Sequence, residues 1–204
     1  MITGFFGVPG CGKSTFLAML AAKELKRIKK GKSKYKYVLT NFPVHGCNQV
    51  RLDDLGRYDI HDSLILFDEI TLDADSRDFK VFPICTKNFF TLHRHLNNDI
   101  IYFCQDFSRV DKTIRNLTFD LWYIHCSIFP FFRRFSIAKR IYRNININEY
   151  TSELTLGYRF AKFTEIIFAK SKICCYRPKY YKYFDSYDKL QLDGLPNFNI
   201  ESWD

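Results

Sequence analysis

The sequence predicts an α/β fold with a central, mainly parallel β-sheet flanked by helices, followed by a small β-rich C-terminal extension. Three observations support this prediction. Short apolar strands alternate with helical segments up to residue 125, two of those strands end in motifs typical of ligand sites, and the pattern changes after residue 126. We therefore expect an α/β domain at 1–125, a basic, aromatic-rich β extension at 126–183 and an acidic tail at 184–204.

Hydrophobic periodicity predicts the elements of the first domain in order. The predicted strands are Ile2–Phe6, Tyr37–Leu39, Leu64–Phe67, Ile100–Cys104 and Phe119–His125, and the predicted helices are Ser14–Ile28, Thr86–Leu96 and Ser108–Leu117, with Ser108 as N-cap. The Ser14–Ile28 helix should end at Lys29–Gly31, where cations precede a glycine. Residues 71–83 are polar and predict a surface loop. In the extension, Ile137–Ile147 and Leu154–Phe160 are predicted β segments.

The positive charge is concentrated in the extension. The chain carries a net charge of +9, and residues 126–183 hold 12 lysines and arginines against three acids, whereas the tail holds one lysine against five acids. A basic, aromatic-rich segment can face nucleic-acid phosphates or an anionic membrane. A solvated face of the strands explains the same composition, so both interpretations stay open.

Cysteine usage and hydropathy indicate a cytoplasmic protein. None of the seven cysteines forms a Cys-x-x-Cys pair, which favours reduced thiols over disulfides or zinc. No signal peptide precedes the first strand, and no apolar run reaches 18 residues, so we expect no transmembrane segment.

The first motif is a complete phosphate-binding loop. Residues 7–14 fit G-x-x-x-x-G-K-[ST] at every fixed position, between a strand and an amphipathic helix. The residues expected around the phosphates are Gly7, Pro9, Gly10, Cys11, Gly12, Lys13, Ser14 and Thr15. Glycines let backbone N–H groups converge on an anion, and the helix N-terminus adds its dipole. Lys13 should reach the β- and γ-phosphates, Thr15 the α-phosphate, and the Ser14 hydroxyl should ligate Mg²⁺.

The second motif is an acid pair at the end of a buried strand. Leu64–Phe67 is followed by Asp68 and Glu69, at the sheet edge where open α/β sheets bind ligands. Asp68 is expected to hold Mg²⁺, directly or through water, and Glu69 to orient or deprotonate the attacking water. Gln105, at the end of the Ile100–Cys104 strand, could contact the γ-phosphate or that water. Together the motifs predict a P-loop NTPase that hydrolyses ATP.

Ring-forming ATPases often complete a site with an arginine from a neighbouring subunit. Among the arginines of the first domain, we consider four for this role: Arg77, Arg94, Arg109 and Arg115. Arg94 and Arg115 are the preferred candidates, although most surface arginines have no such function. His93 and His95 point to different sides of a helix, which argues against a metal pair.

The order of these motifs resembles the Zot (zonula occludens toxin-like) family, which includes gene I assembly proteins of filamentous phages. The resemblance rests on the phosphate loop, Asn41-Phe42-Pro43, Leu66–Glu69, His93-Arg94-His95, Ile100–Gln105 and Asp111–Arg115, and it covers about residues 1–125. It implies a RecA/FtsK-like ATPase domain that uses ATP and Mg²⁺. Members usually carry a transmembrane helix after this domain, and here we expect none.

The resemblance further implies work at the cytoplasmic face of the bacterial inner membrane, in filamentous phage assembly and extrusion of a single-stranded DNA–protein particle. The resemblance implies three kinds of partner. Copies of the chain would form a ring, one option being a hexamer. The others are single-stranded DNA or a phage DNA–protein complex, and an inner-membrane protein. Two alternatives stay open: a DNA-packaging or translocating motor, and a nucleotide-gated binding module with little turnover. A nucleotide kinase has no second basic lid motif to support it.

Overall fold

The structure, a computed structural model, describes residues 1–72, 83–126, 133–147, 154–162, 164–165 and 171–184. The strands are β1 (Ile2–Phe6), β2 (Tyr37–Thr40), β3 (Asn48–Gln49), β4 (Ser63–Phe67), β5 (Asp99–Cys104), β6 (Asp120–Cys126), β7 (Phe135–Ile147), β8 (Leu154–Phe160) and β9 (Lys172–Tyr176). The helices are α1 (Lys13–Lys29), α2 (Ile84–Leu92) and α3 (Lys112–Leu117), and short 3-10 turns join several elements. All nine strands belong to one sheet.

The strand order places the motif-bearing strands side by side. The sheet runs β3-β2-β4-β5-β1-β6-β7-β8, and β9 also pairs with β7. The pairs from β3 to β6 are parallel, so β5 lies between β1 and β4. Phe6 is paired with Cys104, and Phe67 with Tyr102, so the carboxyl ends of these three strands meet at one edge. This arrangement confirms the predicted mainly parallel α/β sheet.

Two apolar layers cover the two faces of the sheet. On one face, α1 packs over a core that contains Phe5, Phe16, Leu66 and Phe103, all at most 2% exposed. On the other face, α2 and α3 lie near a core around Phe67, Phe90 and Tyr102. Buried strands with helices on both sides explain the nearly continuous apolar runs of β4 and β5.

Several element boundaries differ from the sequence predictions. The helix predicted to end at Leu96 ends at Leu92, and the segment predicted as one helix from Ser108 contains a 3-10 turn followed by α3. Ser108 does not cap that helix, because the Asp111 carboxylate accepts a hydrogen bond from the Thr113 backbone N–H and begins it. The Asp106 carboxylate caps the preceding turn in the same way.

The extension continues the sheet of the first domain. β7 pairs antiparallel with β6, and β8 and β9 pair with β7, so the predicted β segments are confirmed and β9 is added. The domain boundary at residue 125 stays a prediction. One sheet continues across this position, because β6 pairs with β7. The predicted loop at 71–83 lies largely outside the described residues, as does the tail beyond Phe184. In the described ranges, no helix is long and apolar enough to cross a membrane.

Candidate nucleotide site

The phosphate loop runs from the end of β1 into the first turn of α1. Gly10 and Gly12 have φ of 77° and 92°, in the left-handed region that favours glycine. The Gly12 carbonyl accepts the first hydrogen bond of the helix, from the Phe16 N–H. A Cβ at Gly12 would lie 2.4 Å from the Ser136 hydroxyl oxygen, so a larger residue would strain the loop and displace its wall. The glycine spacing of the motif therefore reflects a real conformational requirement.

A direct hydrogen bond joins the two motifs. The Ser14 hydroxyl donates to Oδ2 of Asp68 at 2.6 Å, although the two residues are 54 positions apart. Lys13 extends across the loop and donates from Nζ to the Gly7 carbonyl at 3.0 Å. The structure thus brings together the predicted phosphate lysine, hydroxyl and carboxylate.

Asp68 lies in a partly buried position that is unfavourable for an isolated charge. Burial raises the pKa of the Asp68 carboxyl above its usual range, and the neighbouring Glu69 carboxylate acts in the same direction. The hydrogen bond from Ser14 and the charge of Lys13 oppose this rise without cancelling it. A cation bound beside this carboxylate would offset the cost of ionising it.

Asn41, which the sequence analysis placed only in the family pattern, holds Asp68 in position. Its side-chain Nδ2 donates to the Asp68 carbonyl at 2.9 Å, and its Oδ1 accepts from the Asp68 N–H at 2.7 Å. The Asn41 amide therefore satisfies both backbone groups of Asp68. Its position directly after β2, next to β4 in the sheet, makes this contact possible.

Glu69 lies in the turn after β4 with a φ of 47°, in the left-handed region that is uncommon for residues other than glycine. Its Oε1 accepts a hydrogen bond from the Thr71 hydroxyl at 2.6 Å and one from the Gln105 backbone N–H at 3.3 Å. The carboxylate is thus oriented by two donors from different elements. Gln105 reaches this site through its backbone, and its side chain is exposed.

The extension forms an outer wall for the phosphate loop, a feature that sequence analysis missed. The Ser136 hydroxyl of β7 donates to the Cys11 carbonyl at 2.6 Å, and the Cys126 thiol donates to the Gly10 carbonyl at 3.6 Å. Arg177, just after β9, donates from Nη1 to the Cys126 sulfur at 3.6 Å. Its buried Nε has no hydrogen-bond partner among the described residues and lies 3.1 Å from the position of a Cβ on Gly12. Three residues beyond position 125 therefore support consecutive loop residues.

The structure does not bring the candidate arginines to the loop of the same chain. Arg94 lines a surface pocket with Lys34 and Asp99, at the amino ends of the strands and thus at the opposite edge of the sheet. Arg115 lies on α3, and within the described ranges no hydrogen bond joins its side chain to the phosphate loop. Any role for either arginine in a neighbouring subunit stays a prediction. Arg77 lies outside the described residues, and Arg109 follows β5 in an exposed turn.

The histidines do not form a metal pair. His93 is 6% exposed, and its Nδ1 lies 2.6 Å from the Phe90 carbonyl at the end of α2, whereas His95 is exposed. Burial lowers the pKa of His93, which favours the neutral ring. Across the described part of the chain, no cluster of three histidine, cysteine or acidic side chains could hold a metal.

The residues present fit a nucleotide and Mg²⁺. The loop offers backbone N–H groups at a helix N-terminus with a lysine beside them, which suits a polyphosphate. The Ser14 hydroxyl and the Asp68 carboxylate are oxygen ligands of the kind that Mg²⁺ prefers, and their direct hydrogen bond places them next to each other. With two protein oxygens, the remaining ligands would come from phosphate and water.

Comparison with known proteins gives one family and several similar structures. A family model described as zonular occludens toxin (Zot) matches residues 20–126, slightly more than half of the chain. No curated protein matches in sequence. The solved N-terminal domain of zonular occludens toxin from Neisseria meningitidis has a TM-score of 0.58 and 15% identity, covering 90% of this chain and 98% of that domain. At this identity, the likeness concerns the fold alone.

Two further solved structures show weaker likeness. The flagellar accessory protein FlaH from Methanocaldococcus jannaschii has a TM-score of 0.47 and 14% identity, over 79% of this chain and 89% of its own. The genome packaging NTPase B204 from Sulfolobus turreted icosahedral virus 2 has a TM-score of 0.43 and 11% identity, over 76% and 95%.

Proposed function

The chain belongs to the zonular occludens toxin (Zot) family, and from this premise we propose that it is a magnesium-dependent ATPase. One observation carries the proposal: the 2.6 Å hydrogen bond from Ser14 to Asp68. It joins the hydroxyl at the end of the phosphate loop to the carboxylate at the end of β4. A merely structural glycine turn would not require these two oxygens to lie close together, whereas a shared Mg²⁺ would.

In the proposed mechanism, the loop N–H groups and Lys13 bind the β- and γ-phosphates of ATP. Lys13 would exchange its contact with the Gly7 carbonyl for the stronger charge-assisted contact with phosphate oxygens. Ser14 and Asp68 would hold Mg²⁺, which when bound neutralises charge on the phosphates. The two hydrogen bonds of the Asn41 side chain hold the Asp68 backbone in position for this contact.

Glu69 would orient the attacking water and accept its proton. The hydrogen bonds from Thr71 and from the Gln105 N–H hold the carboxylate in one orientation, and its other oxygen takes part in neither. Proximity and orientation account for a large part of the rate in such reactions. The exposed side chain of Gln105 would contact the γ-phosphate or the same water.

We place this activity in the assembly and extrusion of filamentous phage, as the family resemblance implies. In this role the chain would act at the cytoplasmic face of the inner membrane, as a ring with single-stranded DNA or its protein complex as cargo and an inner-membrane protein as partner. A ring would also let Arg94 or Arg115 of one subunit complete the site of the next. Family membership supports this role. The site geometry does not single it out, because the same geometry fits any ATP-driven motor.

The test is steady-state phosphate release with ATP and Mg²⁺ by wild-type, Lys13→Ala and Glu69→Gln protein. We expect wild-type turnover, loss of ATP binding in Lys13→Ala, and ATP binding without turnover in Glu69→Gln. Fluorescent ATP-analogue binding separates the two variants. Turnover that survives in Glu69→Gln would refute its assignment as the base. ATP binding by wild type without any turnover would favour a nucleotide-gated module instead.

A concentration series tests the ring. If an arginine acts between subunits, specific activity rises with protein concentration, and Arg94→Ala or Arg115→Ala abolishes turnover while ATP binding persists. Mixing such a variant with Lys13→Ala protein should restore part of the activity, because each supplies what the other lacks. Activity that is independent of concentration and of both arginines would exclude this arrangement.

A further inference from the structure

One face of the extension strands is open, aromatic and basic. Side chains alternate between the two faces of a strand, and one set is buried under α1, including Trp122, Ile124, Ala138 and Cys175. The alternate set lies on the other face, and within it Leu121 is buried. We define the open face by the other described positions of that set: Tyr123, His125, Phe135, Ile137, Lys139, Ile141, Arg143, Tyr158, Phe160, Lys172, Cys174 and Tyr176. This set contains three cations, five aromatic rings besides His125, and no acid.

The rings of the open face are accessible. Tyr158 is 51% exposed, Phe160 53% and Tyr176 40%, values well above those of core residues. Exposed aromatic rings on two strands that both pair with β7 mark a candidate interaction surface. Exposed planar rings present surfaces on which other planar groups can stack.

Among the described residues, the cations of the open face have no carboxylate partner. Lys139 and Lys172 are directly opposite each other on β7 and β9, and both are exposed. Like charges in this position destabilise a sheet, and no ion pair within the described ranges includes either lysine. Arg143 donates to the carbonyls of Arg115 and Thr118, and no described carboxylate pairs with its charge. An anionic ligand would relieve this repulsion.

The open face is continuous with the nucleotide site. Phe6, directly before the phosphate loop, contacts Tyr123 with 5.3 Å between ring centroids, and Tyr123 contacts Phe160 at 6.0 Å. On a second route, Phe6 contacts Phe107 at 6.3 Å, and Phe107 contacts Tyr158 at 6.3 Å. A ligand on the exposed rings would therefore touch the same packed cluster that ends at Gly7.

We propose that the open face binds single-stranded nucleic acid, with bases stacked on Tyr158 and Phe160 and phosphates near Lys139 and Lys172. Stackable bases joined by phosphates are the ligand class that combines both features of the surface. A second copy of the chain fits less well, because a symmetric contact would bring the unpaired lysines together. An anionic membrane surface would share only the attraction to the cations, since it offers no planar groups to stack on the rings.

The inference extends the proposed function, because it assigns the cargo-binding surface of the motor. Its test is separate from ATP hydrolysis. Fluorescence anisotropy without nucleotide would measure binding of a labelled oligothymidylate of about 16 nucleotides, near the upper site size of single-domain binders. Oligouridylate and duplex DNA of similar length are compared in parallel. We expect either single strand to bind more tightly than the duplex, and the ratio between the two single strands identifies the preferred sugar.

The stacking part is tested with the double variant Tyr158→Ala/Phe160→Ala. Removing two stacking rings should raise Kd at least about tenfold. The matched control is Tyr37→Ala/Tyr58→Ala, which removes two rings that are 54% and 67% exposed elsewhere and should leave Kd unchanged. The variant Tyr158→Phe/Phe160→Tyr keeps both rings and should retain affinity, and circular dichroism of the alanine variant detects any folding defect.

The phosphate part is tested with Lys139→Gln/Lys172→Gln. The slope of log Kd against log salt should fall by about 1.4, because each contact with a single strand contributes about 0.7. The control Lys26→Gln/Lys30→Gln removes two exposed lysines of the α1 end and should leave the slope unchanged. Binding that none of these open-face variants alters would overturn the proposal.

Two further outcomes would also overturn it. Anionic phosphatidylglycerol vesicles could bind with the same dependence on Tyr158 and Phe160 while the oligonucleotides do not, which would identify a membrane surface. Light scattering could instead show an oligomer that Tyr158→Ala/Phe160→Ala dissociates, again without oligonucleotide binding, which would identify an interface between copies. Loss of ATP turnover in Glu69→Gln leaves the binding result unaffected, so the two proposals fail separately.

Discussion

Replacing Asn41 by alanine should remove the two hydrogen bonds that hold the Asp68 backbone. The Asn41 side chain satisfies both the N–H and the carbonyl of Asp68, at 2.7 Å and 2.9 Å. An orphaned buried backbone group costs roughly 1–3 kcal/mol, and because Asp68 is only partly buried, water can reach part of the gap. We therefore expect a loss of about 2–3 kcal/mol in unfolding free energy. For a chain of this size, this corresponds to a fall in Tm of roughly 5–10 °C.

Asn98 provides a matched control at the opposite edge of the sheet. Its Oδ1 accepts from the Ser63 N–H at 2.9 Å, and its Nδ2 donates to the Ile60 carbonyl at 2.7 Å. Asn98→Ala thus removes the same two kinds of bond from a residue that is 1% exposed, far from the phosphate loop. Its fall in Tm should equal or exceed that of Asn41→Ala.

Activity separates the two variants. Phosphate release is measured well below both melting temperatures, with ATP and Mg²⁺ titrated separately. Asn41→Ala should lower kcat by about ten- to a hundredfold, because a shift of about 1 Å in a positioned catalytic group can lower the rate by about a hundredfold. Asn98→Ala should stay near wild type. Equal activity losses in the two variants, or an unchanged kcat in Asn41→Ala, would refute the idea that Asn41 positions the metal ligand.

Two other predictions concern the same site. Burial raises the pKa of Asp68, so the folded chain keeps a proton on this carboxyl over a pH range in which the unfolded chain has lost it. The free energy of unfolding without metal therefore falls as the pH rises through that range, and it stays lower above it. Asp68→Asn should accordingly raise the metal-free Tm at neutral pH while abolishing turnover, and a lower Tm in calorimetry would contradict the assigned penalty. Arg177→Ala should raise the KM for ATP by about fivefold, equivalent to about 1 kcal/mol, with little change in kcat, since it removes support from outside the phosphate loop. Lys182→Ala, an exposed cation in the neighbouring turn, is its control, and equal KM values for both variants would exclude a role for Arg177.

The sequence by itself determined the α/β class, the phosphate loop and the acid pair. These features are encoded locally: positive φ at Gly10 and Gly12 requires glycine, and four apolar residues before Asp68 specify a buried strand that delivers the carboxylates to its end. The expectation that Ser14 and Asp68 hold one Mg²⁺ already required them to lie close together, because both motifs have fixed places at the carboxyl edge of a parallel sheet. Their direct hydrogen bond came from the structure. The family resemblance came from the same local motifs.

Only the tertiary structure decided which distant residues support that site. Ser136 contacts Cys11 across 125 positions, and Asn41 contacts Asp68 across 27, so neither partner can be found from local spacing. The open face depended on the register of β7 with its neighbours, since a shift of one residue would turn the same side chains towards the core. Strand order and register arise from the packing of the whole sheet, and for this reason they lie beyond what motif spacing can predict.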